Sequence, residues 1–185
     1  MINSEKELED YICEHQEEFI SKLKEILFLK DKEISFIGRQ VQIGHQNIAD
    51  LMYCYDSKIP EEIINNDEIC RNYIIVELKN RALEPKDLAQ IGRYVTTLYD
   101  KLENDNLIIG FEEIKGVLVG HNLDNNMQEV EMLLNQYRNN IYFVNIKTKI
   151  EFEDISYYHN EDYINDLVLD DRIKEYYNKK DKENE

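Results

Sequence analysis

The segment that most restricts this chain is YIIVEL at residues 73 to 78, followed at once by Lys79. It is apolar enough to be a sheet strand, yet it carries a carboxylate and an ammonium two residues apart. Alternate side chains of a strand share a face, so Glu77 and Lys79 project to one side while Ile74, Val76 and Leu78 point to the other. A fold that accepts this segment must bury the apolar row and sink the charged pair into the edge of the sheet.

The rest of the chain supplies partners for such a strand. Ser4 and Glu7 form a candidate capping box, and Leu8, Tyr11, Ile12, Phe19, Leu23 and Leu27 recur at helical spacing, which predicts one amphipathic helix over residues 5 to 29. From Glu33 the period becomes strand-like: ISFIGRQVQI, a turn at Gly44, His45, Gln46 and Asn47, then IADLMYCY, which together read as a hairpin. Residues 56 to 72 are polar and acidic and read as a long loop or a short helix, with Glu61 to Glu68 as a lid or contact surface.

After the charged strand, Pro85 opens a helix whose stripe of Leu88, Ile91, Val95, Leu98 and Leu102 runs to about Glu103. GVLVGHN reads as a strand, Met127 to Tyr137 as a helix and IYFVNIK as a strand. The order helix, three strands, helix, strand, helix, strand predicts an α/β fold with a mixed central β-sheet flanked by helices. With 185 residues, 42% of them apolar, residues 1 to 176 are expected to form one domain. Residues 177 to 185 read as a disordered polar tail.

Charge restricts the partners. Lys and Arg number 22 against 39 Asp and Glu, a net charge of −17 that repels a phosphate backbone, so any nucleic acid must be held by a local patch. The stretch from Arg71 to Arg93 carries Arg71, Lys79, Arg81, Lys86 and Arg93 against Glu77, Glu84 and Asp87, and is net positive. Reversing Arg81 and Lys86 to Glu is accordingly expected to abolish nucleic-acid binding. No apolar run is long enough for a membrane span and the N-terminus leaves no room for a secretory segment, so the expected location is the cytoplasm.

Several chemistries lack their residues. Cys13, Cys54 and Cys70 have no paired zinc-ligand spacing and read as free thiols. The four histidines are scattered, and neither a phosphate-binding G-x-x-x-x-G-K-[ST] loop nor a G-x-G-x-x-G turn is present. The thirteen tyrosines read as packing residues. What remains is Asp50 on the hairpin, beside Glu77 and Lys79: hard oxygen donors suited to Mg²⁺ with a cation near an attacking water, the set that phosphodiester hydrolysis needs. Glu9 lies beside the apolar stripe of the first helix and would complete a three-carboxylate pocket, while Gln90 and Tyr94, at i and i+4, share one face of the following helix.

With KELEDYICEH, IGRQVQIG, NIADLMYCYD, YIIVELKN and LAQIGRYV in this order, the chain resembles the PD-(D/E)xK nuclease superfamily, in particular its NucS-like and RecB-like endonucleases, over roughly residues 5 to 100. The resemblance implies a restriction-endonuclease-like core and a Mg²⁺-dependent nuclease, with Mn²⁺ as substitute, acting on phosphodiester bonds in DNA. It implies Asp50, Glu77 and Glu9 around the metal, Lys79 as the cation that positions water or stabilises charge, and Gln90 with Tyr94 as the pair that orients the site and the substrate strand. Gln40 would be a polar residue of the first strand that meets substrate, alongside Arg81, Lys86 and Arg93. Ala49 stands where the motif's name has proline, and the loop from Asp56 to Asn72 is longer and more acidic than the short turn expected. The competing expectation is a nuclease-like, non-catalytic assembly module whose acidic surface meets a protein partner or a second copy.

Overall fold

The structure is a computed structural model that describes residues 4–59, 69–105, 112–123, 140–146 and 152–154. In chain order the elements are α1 (Glu5–Glu14), α2 (Gln16–Ile26), β1 (Ile34–Gln42), β2 (Ile48–Lys58), β3 (Ile69–Leu83), α3 (Pro85–Asn104), β4 (Ile114–Leu123), β5 (Asn140–Ile146) and β6 (Phe152–Asp154). The strands form one six-stranded sheet in sequential order. β1, β2 and β3 are antiparallel neighbours, β3, β4 and β5 run parallel, and β6 returns antiparallel to β5. The sheet is therefore mixed.

Its two faces are covered by different helices, as the alternation in β3 requires. Ile74, Val76 and Leu78 pack in one cluster with Leu8 and Ile12 of α1 and Phe19 and Leu23 of α2. Ile75 belongs to the opposite cluster, with Leu88, Ile91, Val95 and Leu98 of α3. Glu77 and Lys79 share the parity of Ile75 and so face α3. Gly116 of β4 lets α3 lie close to the sheet, since an added Cβ would come within 2.8 Å of Ile91 Cγ1 and 3.2 Å of Val95 Cγ2.

The expected α/β architecture is present, with differences of detail. The single helix predicted over residues 5 to 29 is divided at His15 (φ −116°, ψ 40°). There the imidazole Nδ1 lies 2.9 Å from the Tyr11 carbonyl and the ring stacks on Tyr11, so the side chain competes for a carbonyl that would serve the helix. The apolar stripe crosses the break, with Leu8, Ile12, Phe19 and Leu23 all buried. α2 ends at Ile26, before Phe28, which takes a left-handed φ of 53°. β6 was not anticipated from the sequence.

Both ends of the predicted loop over residues 56 to 72, namely 56–58 and 69–72, are strand. β2 runs on to Lys58 and β3 begins at Ile69, because polar residues in this stretch satisfy one another across the ladder. Asp56 is the register partner of Arg71 and accepts its Nε at 3.0 Å. Asn72, buried, donates to Ser57 Oγ at 2.8 Å and to the Tyr55 carbonyl at 3.3 Å, and accepts the Glu113 N–H at 2.8 Å. Asn72→Ala is expected to destabilise the fold by about 1–3 kcal/mol, because the buried Asn72 carboxamide loses its bonds to Ser57, the Tyr55 carbonyl and the Glu113 N–H together. Urea unfolding measures it, and a loss below about 0.5 kcal/mol would remove Asn72 as the reason β3 starts so early.

Residues 60–68, which hold the whole of the lid expected at Glu61 to Glu68, and the helix expected at 127–137 lie outside the described residues. Chain contacts divide the protein into Met1–Ile155 and Ser156–Glu185, and the second unit, with the domain boundary expected at 176, also falls outside them. Among the described residues no helix is long and apolar enough to cross a membrane.

Candidate active site

The site lies where β2 and β3 part. Their ladder runs from Lys58↔Ile69 to Leu51↔Val76 and stops there. The next residue of β2, Asp50, turns its carboxylate to the strand instead, and Oδ2 accepts the backbone N–H of Leu78 at 2.8 Å. A ladder hydrogen bond is thus replaced by a side-chain one, which leaves the carboxylate beside Glu77.

Glu77 is 3% exposed. Its Oε1 accepts from Lys79 Nζ at 2.7 Å and from Gln90 Nε2 at 2.6 Å, while Oε2 is buried with no hydrogen-bond partner. Burial, and then the charge of Asp50, push the Glu77 carboxyl up from 4.5 to about 7, against the pull of Lys79. Burial also raises Asp50, with the Leu78 N–H and Lys79 working the other way. For Lys79 burial acts to lower the pKa, but Glu77 more than offsets it and the net direction is up, so the side chain stays an ammonium. Two carboxylates are crowded together and one cation answers them.

Gln90 and Tyr94 do share a face of α3: Gln90 Nε2 also reaches the Tyr94 hydroxyl at 2.7 Å. The pair fixes Glu77 from the helix side. Tyr94 is 7% exposed, and burial raises its phenol.

Gln40 reaches the site from β1, where it adopts a left-handed φ of 51°, a conformation that costs a non-glycine residue about 1–3 kcal/mol and persists only where the surroundings hold it. Its Nε2 lies 3.2 Å from Asp50 Oδ1 and 2.9 Å from Glu9 Oε2. Glu9 is buried, but both its oxygens are engaged, Oε2 by Gln40 and Oε1 by Arg39 Nε. The expected three-carboxylate pocket is therefore not assembled, and among the described residues no group of three His, Cys, Asp or Glu side chains converges on one point. Asp50 and Glu77 meet, and Glu9 stands behind Gln40.

Arg39 escaped the sequence reading although it precedes Gln40 in the GRQV segment. Only the packing of β1 against α1 reveals that it pairs with Glu9 and, through Nη2 at 2.7 Å, with Asp10.

The net-positive stretch is largely paired within itself. Arg81 makes two 2.7 Å bonds to Asp87, which also accepts the Glu84 N–H at 2.9 Å and so caps α3. Lys86 lies 2.6 Å from Glu84, and Arg71 is tied to Asp56. Eight residues of strand put Arg71 about 26 Å from Lys79. Arg93 is exposed on α3, and no ion pair to it occurs among the described residues. Cys13, Cys54 and Cys70 form no disulfide among the described residues.

The donor set fits a divalent cation of the Mg²⁺ type. Such an ion is commonly held by one or two carboxylates and keeps several waters, so Asp50 and Glu77 suffice in number. The buried, unpartnered Glu77 Oε2 is the donor such an ion would satisfy.

No protein-family model and no curated protein matches the chain. Among solved structures it is similar to the crystal structure of a repair endonuclease from Pyrococcus abyssi, with 19% identity and a TM-score of 0.39. That likeness covers 70% of this chain and 46% of the other, so the chain spans less than half of that protein's length.

Proposed function

We propose that the protein is a divalent-metal-dependent nuclease that hydrolyses phosphodiester bonds, with DNA as its substrate class. The observation that carries this reading is the pairing of Asp50 and Glu77 at the parting of β2 and β3, with Lys79 on one Glu77 oxygen and the other oxygen buried and unpartnered.

Asp50 and Glu77 would hold the cation, which when bound supplies polarisation of a phosphoryl oxygen and a lower pKa for water. The chain's own groups do the rest. Lys79 places a positive charge at the strand end, where it offsets charge that accumulates on the phosphoryl oxygens as water attacks phosphorus and the P–O bond to the leaving alcohol breaks. The attacking water gives up a proton to solvent and the leaving oxygen takes one from solvent, so the step balances, and no covalent bond to the protein is formed. Gln90 keeps Glu77 Oε1 occupied, which directs Oε2 toward the cation.

The test is a panel of labelled DNA and RNA substrates, single-stranded, duplex and branched, incubated with Mg²⁺, Mn²⁺ or chelator. Cleavage that requires metal is expected. Intact substrate across the panel, at protein in excess and with either metal, would reject the reading.

Binding of nucleic acid is expected to weaken steeply with salt. Because Arg81 is held by Asp87, its reversal would also damage the cap of α3, and the cleaner variants are Lys86→Glu and Arg93→Glu. Each should lower the slope of log affinity against log salt by about 0.9 if it removes one phosphate contact. Gel-shift titrations at several salt concentrations give the slope, and an unchanged slope in the double variant would exclude both residues from the interface.

The internal pairing of Arg71, Arg81 and Lys86 favours a second reading, an assembly module that meets a protein partner through its acidic surface. Calorimetry with Mn²⁺ separates the two, since only the nuclease needs a metal site that Asp50→Asn removes.

A further inference from the structure

We infer that Arg39 is a positioning residue for Asp50, acting through Glu9 and Gln40, and that Glu9 belongs to this relay rather than to the metal ligands; the inference rests on the reading of Asp50 and Glu77 as the metal-holding pair. Every link is a contact in the structure. Arg39 Nε donates to Glu9 Oε1 and its Nη2 to Asp10 Oδ1 at 2.7 Å, which fixes the guanidinium between two successive carboxylates of α1. Glu9 Oε2 takes one proton of the Gln40 carboxamide at 2.9 Å, and Asp50 Oδ1 takes the other at 3.2 Å.

The chemistry of the acceptors fixes the direction of the relay. An amide can turn its oxygen or its nitrogen to a neighbour, but two carboxylates can only accept, so the nitrogen of Gln40 must face both. Asp50 is then held between two donors, the Gln40 amide at Oδ1 and the Leu78 N–H at Oδ2. Each oxygen has a lone pair left, and the carboxylate plane is set before any cation arrives.

Arg39 is the origin of this arrangement. Glu9 has a side chain only 8% exposed, and a buried carboxylate stripped of its guanidinium would either draw other donors to itself or turn away toward water. In both cases Gln40 is released from its present orientation. The left-handed backbone of Gln40 is a conformation its surroundings must hold, and the bonds of its side chain to Glu9 and Asp50 are part of those surroundings. The Gln40 amide nitrogen lies between Glu9 and Asp50, bonded to both, so Glu9 stands behind the amide rather than beside the Asp50 carboxylate.

The test combines a metal-free and a metal-bound measurement on the full chain. In metal-free protein, the side-chain amide signals of Gln40 in ¹⁵N-correlated spectra should move in Arg39→Met and in Asp50→Asn, because both acceptors are altered. In Mn²⁺ calorimetry, Arg39→Met and Gln40→Met should each weaken binding by about 10- to 100-fold, the range for residues that orient ligands from behind. The double variant should be no weaker than the worse single one, and Arg39→Lys should recover part of the loss.

Independent, multiplying losses, or unmoved Gln40 signals in Arg39→Met, would overturn the relay. So would a Glu9→Gln variant that abolishes Mn²⁺ binding as completely as Asp50→Asn, which would make Glu9 a ligand. If Arg39→Met does not fold, Arg39→Lys and Glu9→Gln carry both measurements. A wild-type protein that binds no Mn²⁺ sinks the metal reading, and the metal-free spectra then decide the relay alone.

Discussion

Lys79→Met is expected to lower the rate of phosphodiester cleavage by about 10²- to 10³-fold, the usual cost of removing one preorganised group that answers charge in a transition state. The substitution keeps the length of the side chain and removes the ammonium that lies 2.7 Å from Glu77 and 4.0 Å from Glu5. Losing that ammonium also withdraws the pull of Lys79 that restrains the Glu77 carboxyl from rising further. The assay should therefore be run at pH 8.5 as well as at pH 7, so that a protonated Glu77 is not mistaken for a lost cation. At the higher pH, the melting shift produced by Mn²⁺ should survive while cleavage stays low. Cleavage within threefold of wild type at both pH values would reduce Lys79 to a counterion of Glu77. Loss of the Mn²⁺ shift would show that it builds the metal site rather than serving the reaction.

Short-range periodicity carried most of what the sequence could yield. The alternation in YIIVELK placed Glu77 and Lys79 on one face, and the structure puts that face under α3, with Gln90 and Tyr94 one turn apart above it. The hairpin turn at residues 44 to 47 and the start of α3 at Pro85 were legible because turn residues and proline act locally. Errors arose where a long-range partner changed the meaning of a residue. Asp56, Ser57, Arg71 and Asn72 look like loop residues until the register pairs them across β2 and β3. Local spacing is likewise silent on the bonds that tie Arg81 to Asp87 and Glu9 to Arg39 and Gln40. Charge counted along a chain does not reveal which charges are already answered.

The same crowding that would make the site reactive should appear as instability when no metal is bound. Glu77 has its carboxyl raised from 4.5 to about 7, so the folded state favours the protonated form. The contribution of this group to stability is fully present below about pH 4.5, declines as pH rises, and is lost once pH passes 7, a change on the order of 3 kcal/mol. Asp50 is shifted in the same direction. Glu77→Gln removes the ionisation while leaving an oxygen for Lys79, so at pH 8 and without metal this variant should melt higher than wild type. Asp50→Asn is a less clean probe of stability. Its oxygen can still accept the Leu78 N–H, but its amide nitrogen would then confront Gln40 Nε2, donor against donor. Both variants should lack cleavage. With Mn²⁺ at about one hundred times its dissociation constant, wild type should gain about 2.7 kcal/mol and Glu77→Gln almost none of it, so the order of melting temperatures should reverse on adding metal. Melting curves of both proteins at pH 5 and pH 8, with Mn²⁺ and with chelator, contain the whole comparison. A Glu77→Gln variant that melts well below wild type at pH 8 in chelator would mean that ionised Glu77 stabilises the fold through Lys79 and Gln90. The two carboxylates would then be a structural pair, and the metal site proposed on them would fail.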